Sequence, residues 1–511
     1  MRFFTLLCVL LSGVCVAQYG QLDPTFDADG TAVVNLSNES WHGNAIAQQS
    51  TGAYVVAGSY TTSMGASHTL VLRLNPDGSL DPTFGPNNNG VLQIPVSHLS
   101  DDAVSVAVRP DDRIVVGGNG GFASYQQWYL LGLTADGFLD NTFGTNGSVV
   151  CDSTASTRVY MNDMALDGSG GILLCGNSPQ PTGTVIRRDA SGAPDLSFGI
   201  SGFAYAPSQA VNCTGRALTI DDQGRILLSG LHTLSGANVL SSVVRFSPSG
   251  AFDTTFGANG LAALNLCFGI SEGFNDVQQG PNGTIVLSGW KAPNGIYSAD
   301  MAVARLLNDG SADASFGTSG VATYVLPNNA YGFARRAIVE AGGEVNVCIV
   351  SQQPAPMEAL VGLVRMEPDG SLDPSFGTNG ATLTDLNGTL TREVPNDMII
   401  DDQGRSVVVG DIGDNNIENV FVARYGSNSS NAVAEFHTGE EVHAYPNPFS
   451  DHLSLLIPGN LKSSYQLMDL QGRTILSGFG PTISTTSLAA GPYLIRVATE
   501  GQQRIVRIVK D

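Results

Sequence analysis

At 511 residues the chain exceeds one ordinary domain and suits a large repeat array joined to a smaller module. Only 14% of residues are charged, while glycine reaches 61 and proline 24, a balance that favours many short strands and turns over helices. Lys and Arg number 24 against 46 Asp and Glu, and the net charge of −22 argues against nucleic acid or an anionic membrane as partner; 42% hydrophobic content argues against disorder.

Residues 1–17, MRFFTLLCVLLSGVCVA, place one Arg before an apolar run that Ala17 ends. This is the pattern of a secretory signal, too short and wrongly flanked for a membrane span, and cleavage after Ala17 leaves Gln18 first. Cys15 suggests a lipoprotein, but Val14 stands where such a signal wants Gly or Ala. No other segment holds the roughly 18 apolar residues of a span. Beyond the signal, Cys151, Cys175, Cys213, Cys267 and Cys348 are odd in number and never in CxxC spacing, so they read as small buried hydrophobes.

From residue 23 onward one pattern dominates. Asp-x-[Ser/Thr]-Phe occurs seven times, at Asp23–Phe26, Asp81–Phe84, Asp140–Phe143, Asp195–Phe198, Asp253–Phe256, Asp313–Phe316 and Asp373–Phe376, with 55 to 60 residues between successive Phe. An Asp can accept from backbone N–H groups just ahead of it, and the Phe then serves as an apolar plug. Six copies continue with Gly, the exception being Asp27, and all carry a second Gly where φ > 0 is wanted. A cation-ligand role for the seven carboxylates is conceivable, but the turn context favours a structural one. Each unit then offers a short strand, two apolar runs around a tight turn (ALTIDDQGRILLSG, DMIIDDQGRSVVVG) and a closing run such as LVLRL or VVRFS. Four strands per unit predict an all-β fold, a seven-bladed β-propeller of four-stranded blades rather than a β-solenoid.

The D-x-[ST]-F-G-x-x-G unit, with a V-x-R strand and turns such as Asn75-Pro76-Asp77-Gly78 before it, resembles the delta-60 repeat family of bacterial β-propellers over about residues 20–425. That resemblance implies a fold and no catalytic residues. In five units an Arg stands eight residues before the motif Asp (Arg73, Arg187, Arg245, Arg305 and Arg365), and Gly132 takes that place before Asp140. Asp23 has no such Arg before it, and Arg424 has no motif after it. A ring gains from this offset, since residues 20–30 can complete the blade begun by 417–425, setting Asp23 against Arg424 as Asp81 against Arg73.

Residues 426–440 read as a linker. In residues 441–511 the motif Tyr445-Pro446-Asn447-Pro448-Phe449, then Asp469, Gly472 and Arg473, then Gly491 and Tyr493, and a basic last strand predict a small Ig-like β-sandwich. Their order closely resembles the type A sorting domain of type IX secretion. This resemblance implies a partner, the type IX machinery, and a secreted or cell-surface destination. The segment 431–511 is nearly neutral, with six basic and seven acidic residues, so the propeller carries the acidity and its partners are expected to be neutral or cationic.

Chemistry-bearing motifs are scarce. The seven His show no ligand spacing, and there is no phosphate loop or nucleophile elbow. No catalytic residue, cofactor or metal ligand is assigned. The leading reading is a non-catalytic binding or adhesion module for a glycan or protein; a glycan-acting enzyme using propeller carboxylates is the alternative. The first and third connections of each unit are long and variable, and Trp41, Trp128 and Trp290 lie in or beside them. These are the candidate ligand-binding residues, with wedging between blades as their structural alternative.

Overall fold

The computed structural model describes residues 19–34, 39–97, 100–122, 125–151, 160–177, 183–205, 212–233, 239–264, 272–292, 299–327, 330–352, 359–386, 392–413 and 417–426, and, further on, 443–445, 450–456, 464–468, 474–480, 482–486, 488, 491–499 and 502–510. It divides into two compact units, residues 1–428 and 429–511.

The first unit is built from seven four-stranded antiparallel sets. Their first strands are Ser40–Gln48, Asp101–Val108, Tyr160–Leu166, Asn212–Ile220, Glu272–Gln279, Tyr331–Val339 and Arg392–Ile400, which define blades 1 to 7. Each first strand packs beside that of the next blade, and Ser40–Gln48 also packs against Arg392–Ile400, so the seven close a ring around a central channel. Second strands such as Tyr54–Thr61 and Val345–Gln352 are buried almost throughout, because neighbouring blades cover both of their faces.

The last blade is completed by the beginning of the chain. Thr31–Val34 pairs antiparallel with Glu418–Tyr425, Thr31 opposite Ala423. The amide of Asp23 donates to the carbonyl of Arg424 at 2.8 Å, and the Arg424 amide donates to that of Gly30 at 2.9 Å. Within blade 1 the amide of Asp81 likewise donates to the carbonyl of Arg73 at 3.0 Å.

The repeated motif is the fastening of every blade. In all seven copies one carboxylate oxygen of the Asp accepts from the backbone amide and the hydroxyl of the Ser or Thr two residues on. The other oxygen meets an arginine, at 2.8 Å for Asp23 with Arg424 and for Asp81 with Arg73, and at 2.7 Å for Asp253 with Arg245. In five copies the same guanidinium lies over the motif Phe, 4.7 Å from the Phe26 centroid for Arg424 and 4.4 Å from Phe256 for Arg245, whereas Arg365 lies over Tyr19 at 5.2 Å. None of the seven Phe is more than 3% exposed. In six copies the residue after the Phe donates to the tight turn of the following blade, as Gly257 does to Asp309 at 2.7 Å, so the motif also joins blades; in the last copy Gly377 donates to the carbonyl of Tyr19 at 3.1 Å. Asp27 makes that contact in the first copy at a φ of 45°, the left-handed conformation glycine provides elsewhere.

Blade 2 lacks the arginine and shows how the fold replaces it. A Cβ at Gly132 would lie 2.3 Å from the Phe143 ring, so the Phe has moved into the vacated space. Arg113 reaches Asp140 at 3.1 Å, and Arg109 covers Phe143 at 5.8 Å.

The second unit is a sandwich of two sheets, one of strands 443–445, 452–456 and 482–484, the other of 474–479, 464–468, 491–499 and 502–510. Leu453, Leu455, Leu467, Ile483, Ile495 and Val497 fill its core.

Candidate functional site

The first strand of every blade carries one extra residue: Asn44, Val104, Asn162, Arg216, Asn275, Arg335 and Asn396 in blades 1 to 7. A bulge re-aims its side chain out of the normal alternation. In the odd-numbered blades the residue is Asn, and its amide donates to the next blade: Asn44 to the carbonyl of Ala103 at 2.8 Å, Asn162 to Gly215 at 2.6 Å, Asn275 to Ala334 at 2.7 Å and Asn396 to Gly43 at 3.0 Å. Blades 2, 4 and 6 place Val104, Arg216 and Arg335 at this level of the channel wall.

The following residue forms a second tier. Asp163, Asp276 and Asp397 each accept a backbone amide of the next blade, from Leu218 at 3.0 Å, Ala337 at 2.8 Å and Ile46 at 3.1 Å. Arg336 lies between two of them, 3.3 Å from Asp276 and 3.5 Å from Asp397. Burial pushes Asp163 up to about 6, against the opposing pull of the Arg336 charge. The carboxyl of Asp397 is also raised by burial.

A third group gathers where the inner strands of blades 1 and 2 begin. His42 Nδ1 lies 3.5 Å from Asp411 and 3.2 Å from Glu418, both of blade 7. The hydrogen bond to Asp411 raises the His42 pKa above its ordinary value. Donor atoms of His42, Asp411 and Glu418 all lie within 4.8 Å of one another, so these three could hold a divalent cation. Their carboxylates already have partners: Asp411 accepts from the Gly43 amide at 2.9 Å and from Asn396 at 3.1 Å, and Glu418 from Arg392 at 2.8 Å. Nearby, Asp102 accepts from Asn44 at 2.9 Å, and burial pushes its carboxyl up to about 6.

The three tryptophans are not part of this channel surface. Trp41 is 1% exposed, Trp128 2% and Trp290 9%. Trp41 packs with Val409 and Val420 of blade 7, and Trp128 with Met161 of blade 3. Trp290 meets Phe333 of blade 6 edge-on at 5.8 Å, while the Arg216 guanidinium covers its face at 5.3 Å. The rings wedge blades together, so the expectation that they offer stacking faces to a ligand is corrected. Much of the variable connections, including 152–159, 206–211, 265–271 and 353–358, lies outside the described residues. Cys151, Cys175 and Cys348 are buried. Of the tail motif, the backbone of Tyr445 pairs with Ser454, Gly491 takes a φ of 143° and Tyr493 is 9% exposed; Pro446, Asn447, Pro448, Phe449, Asp469, Gly472 and Arg473 lie outside the described residues.

The sequence missed the channel groups. His42 and Asp411 are 369 positions apart and meet only through ring closure. Arg216 and Arg335 become visible only when the repeats are aligned on their bulges, where Asn otherwise alternates.

A family model described as "Domain of unknown function (DUF5122) beta-propeller" matches residues 49–84, 109–143, 280–316 and 361–376. A "Secretion system C-terminal sorting domain" matches 443–511. The chain is a repeat β-propeller carrying a type IX sorting tail. Such a tail marks an exported protein that engages the secretion machinery, secreted or held at the cell surface. Among the described residues no helix is long and apolar enough to cross a membrane. No curated protein matches the repeat propeller closely enough to count as a relative. Among solved structures, the β-propeller domain of the Trilobed protease from Pyrococcus furiosus, with an open velcro topology, is similar at 9% identity over 77% of this chain and 93% of that one, TM-score 0.41. An endo-arabinase from Bacteroides thetaiotaomicron is similar at 10% identity over 52% and 92%, TM-score 0.29.

Proposed function

We propose that this propeller is an exported, non-catalytic binding protein for an extracellular saccharide. Residues 1–17 direct it through the inner membrane, residues 441–511 deliver it to the type IX machinery, and residues 18–425 bind at the channel end that bears the variable connections. One observation carries the non-catalytic part. The described channel and motif carboxylates are committed to structure: Asp163, Asp276 and Asp397 tie blade to blade, and the seven motif Asp hold arginines and turn amides. A hydrolase needs one carboxylic acid and one carboxylate both facing substrate. The saccharide preference rests on the polar wall of Asn44, Asn162, Asn396, His42 and Asp102 around the channel.

A second reading has one observation in its favour. Asp102, raised to about 6, could act as a general acid with Glu418 or Asp411 as its partner, which would make the chain a glycan-acting enzyme. A panel of extracellular polysaccharides, immobilised and challenged with the exported chain, tests the proposal. Retention on one of them is the expected result, and failure to be retained on any overturns it. Export is tested separately by deleting 443–511, which should leave the chain inside the outer membrane; normal surface delivery would refute the role of the tail.

A further inference from the structure

We propose that Arg216 and Arg335 form an anion subsite in the central channel that takes the carboxylate of a uronic-acid residue, an inference that rests on the saccharide-binding reading above. The motif arginines are neutralised by motif aspartates, and Arg336 by Asp276 and Asp397. Arg216 and Arg335 differ. Neither has an ion pair with a described residue, although the propeller is rich in carboxylates. Both occupy the bulge position of an innermost strand, in blades 4 and 6, on either side of Asn275.

Arg216 is held ready. Its Nη1 donates to Asn275 Oδ1 at 2.6 Å, and its plane covers Trp290, leaving other N–H groups of the fork without a described partner. Asn275 is fixed in turn by its bond to the Ala334 carbonyl, one residue before Arg335. Arg335 makes no hydrogen bond with a described residue and is exposed, and on an innermost strand the solvent it meets is that of the channel. Burial lowers the pKa of Arg216, and the Arg335 charge lowers it further. Two guanidiniums that repel each other in a partly desolvated wall are stabilised by an anion between them.

The surroundings narrow the class of anion. A guanidinium fork matches the two coplanar oxygens of a carboxylate. A dianion such as phosphate gains less, because Asp411 and the Asp163, Asp276 and Asp397 tier add repulsion that grows with ligand charge. Hydroxyl groups, by contrast, find donors and acceptors in Asn44, Asn162, Asn396 and His42. A sugar acid presents one carboxylate amid many hydroxyls, and a peptide terminus does not.

Titration calorimetry on the full-length chain at low salt tests this with four probes: a galactose trimer in which one residue is replaced by galacturonic acid (the uronate trimer, a monoanion), the neutral galactose trimer, an acetylated tripeptide with a free C-terminus, and inorganic phosphate. The account expects the uronate trimer to bind, the other three to bind at least about tenfold more weakly, and Arg335→Gln to weaken uronate binding by about tenfold or more. Arg335→Lys, which keeps the charge and loses the fork, should fall between. Arg335→Gln breaks no hydrogen bond or ion pair with a described residue, so an unchanged melting temperature is expected; Arg216→Gln, which also uncovers the face of Trp290, is the second variant. If both trimers bind alike and Arg335→Gln has no effect, the subsite is overturned while saccharide binding stands. If no saccharide binds, both fall. Tripeptide or phosphate binding as tight as uronate overturns the assignment of the ligand.

Discussion

Replacing Asp23 by Ala probes ring closure energetically. Arg424 is 2% exposed, its Nε is 2.8 Å from Asp23 Oδ2, and it also bonds Thr25 Oγ1 at 2.9 Å and the Pro76 carbonyl. Removing the carboxylate leaves a buried guanidinium with neutral partners only, and breaking a buried pair in this way costs about 3–5 kcal/mol. The Thr25 amide and hydroxyl lose their acceptor as well, at 3.0 and 2.7 Å, which adds about 1 kcal/mol. For a propeller of about 400 residues, unfolding entropy near 2 cal/mol/K per residue converts ~4 kcal/mol into a fall of about 5 °C in Tm. Asp253→Ala is the internal control, because Arg245 is 3% exposed there and the pair is 2.7 Å long. Thermal unfolding followed by circular dichroism should give both variants similar losses. If Asp253→Ala costs ~4 kcal/mol while Asp23→Ala stays within about 0.5 kcal/mol of the parent, the ends do not close the ring and the reasoning fails.

Arg113 is 46% exposed, so Arg113→Ala should cost under about 1 kcal/mol by denaturant unfolding, well below Arg245→Ala; equal costs would contradict the account of blade 2. Stability should peak near pH ~4. Below that point it falls, because burial of Asp23, Asp81, Asp253 and Asp373 is outweighed by bonds from Ser or Thr and Arg that hold their carboxyls below the usual range, and protonation breaks these bonds. From about pH 4 to 6 it falls with rising pH, because native Asp163 keeps a proton that the unfolded chain has released. Tm measured from acid to neutral pH checks both limbs, and a Tm that climbs steadily across the upper limb would refute the second. Chelation by EDTA should leave Tm unchanged, since the motif Asp take their partners from arginines and turns; a fall of several degrees would show that a cation holds the ring together.

Legibility in the sequence followed distance along the chain. Asp-x-[Ser/Thr]-Phe and the Arg eight residues earlier lie within one turn and one strand, so the motif and the half-unit offset at Asp23 and Arg424 could be read directly. The compensation in blade 2 could not, because Arg113 and Arg109 come from a different hairpin and act only once Phe143 has moved over Gly132. Tryptophans beside variable connections looked like ligand platforms. In the fold each packs against an adjacent blade: Trp128 fills the gap that Gly176 of blade 3 leaves open, and Trp290, seated over Gly273 of its own blade, meets Phe333 of blade 6. The channel tier required the register of seven bulges, which period-2 alternation does not reveal.

Retention and turnover measured in the same samples test the central claim most directly. The exported chain is incubated with each polysaccharide of a panel, and bound protein and newly formed reducing ends are both quantified over time. The account predicts retention on at least one polysaccharide of the panel with no reducing ends above the protein-free control. Steady release of reducing ends, abolished by Asp102→Asn, would contradict it and make the chain an enzyme.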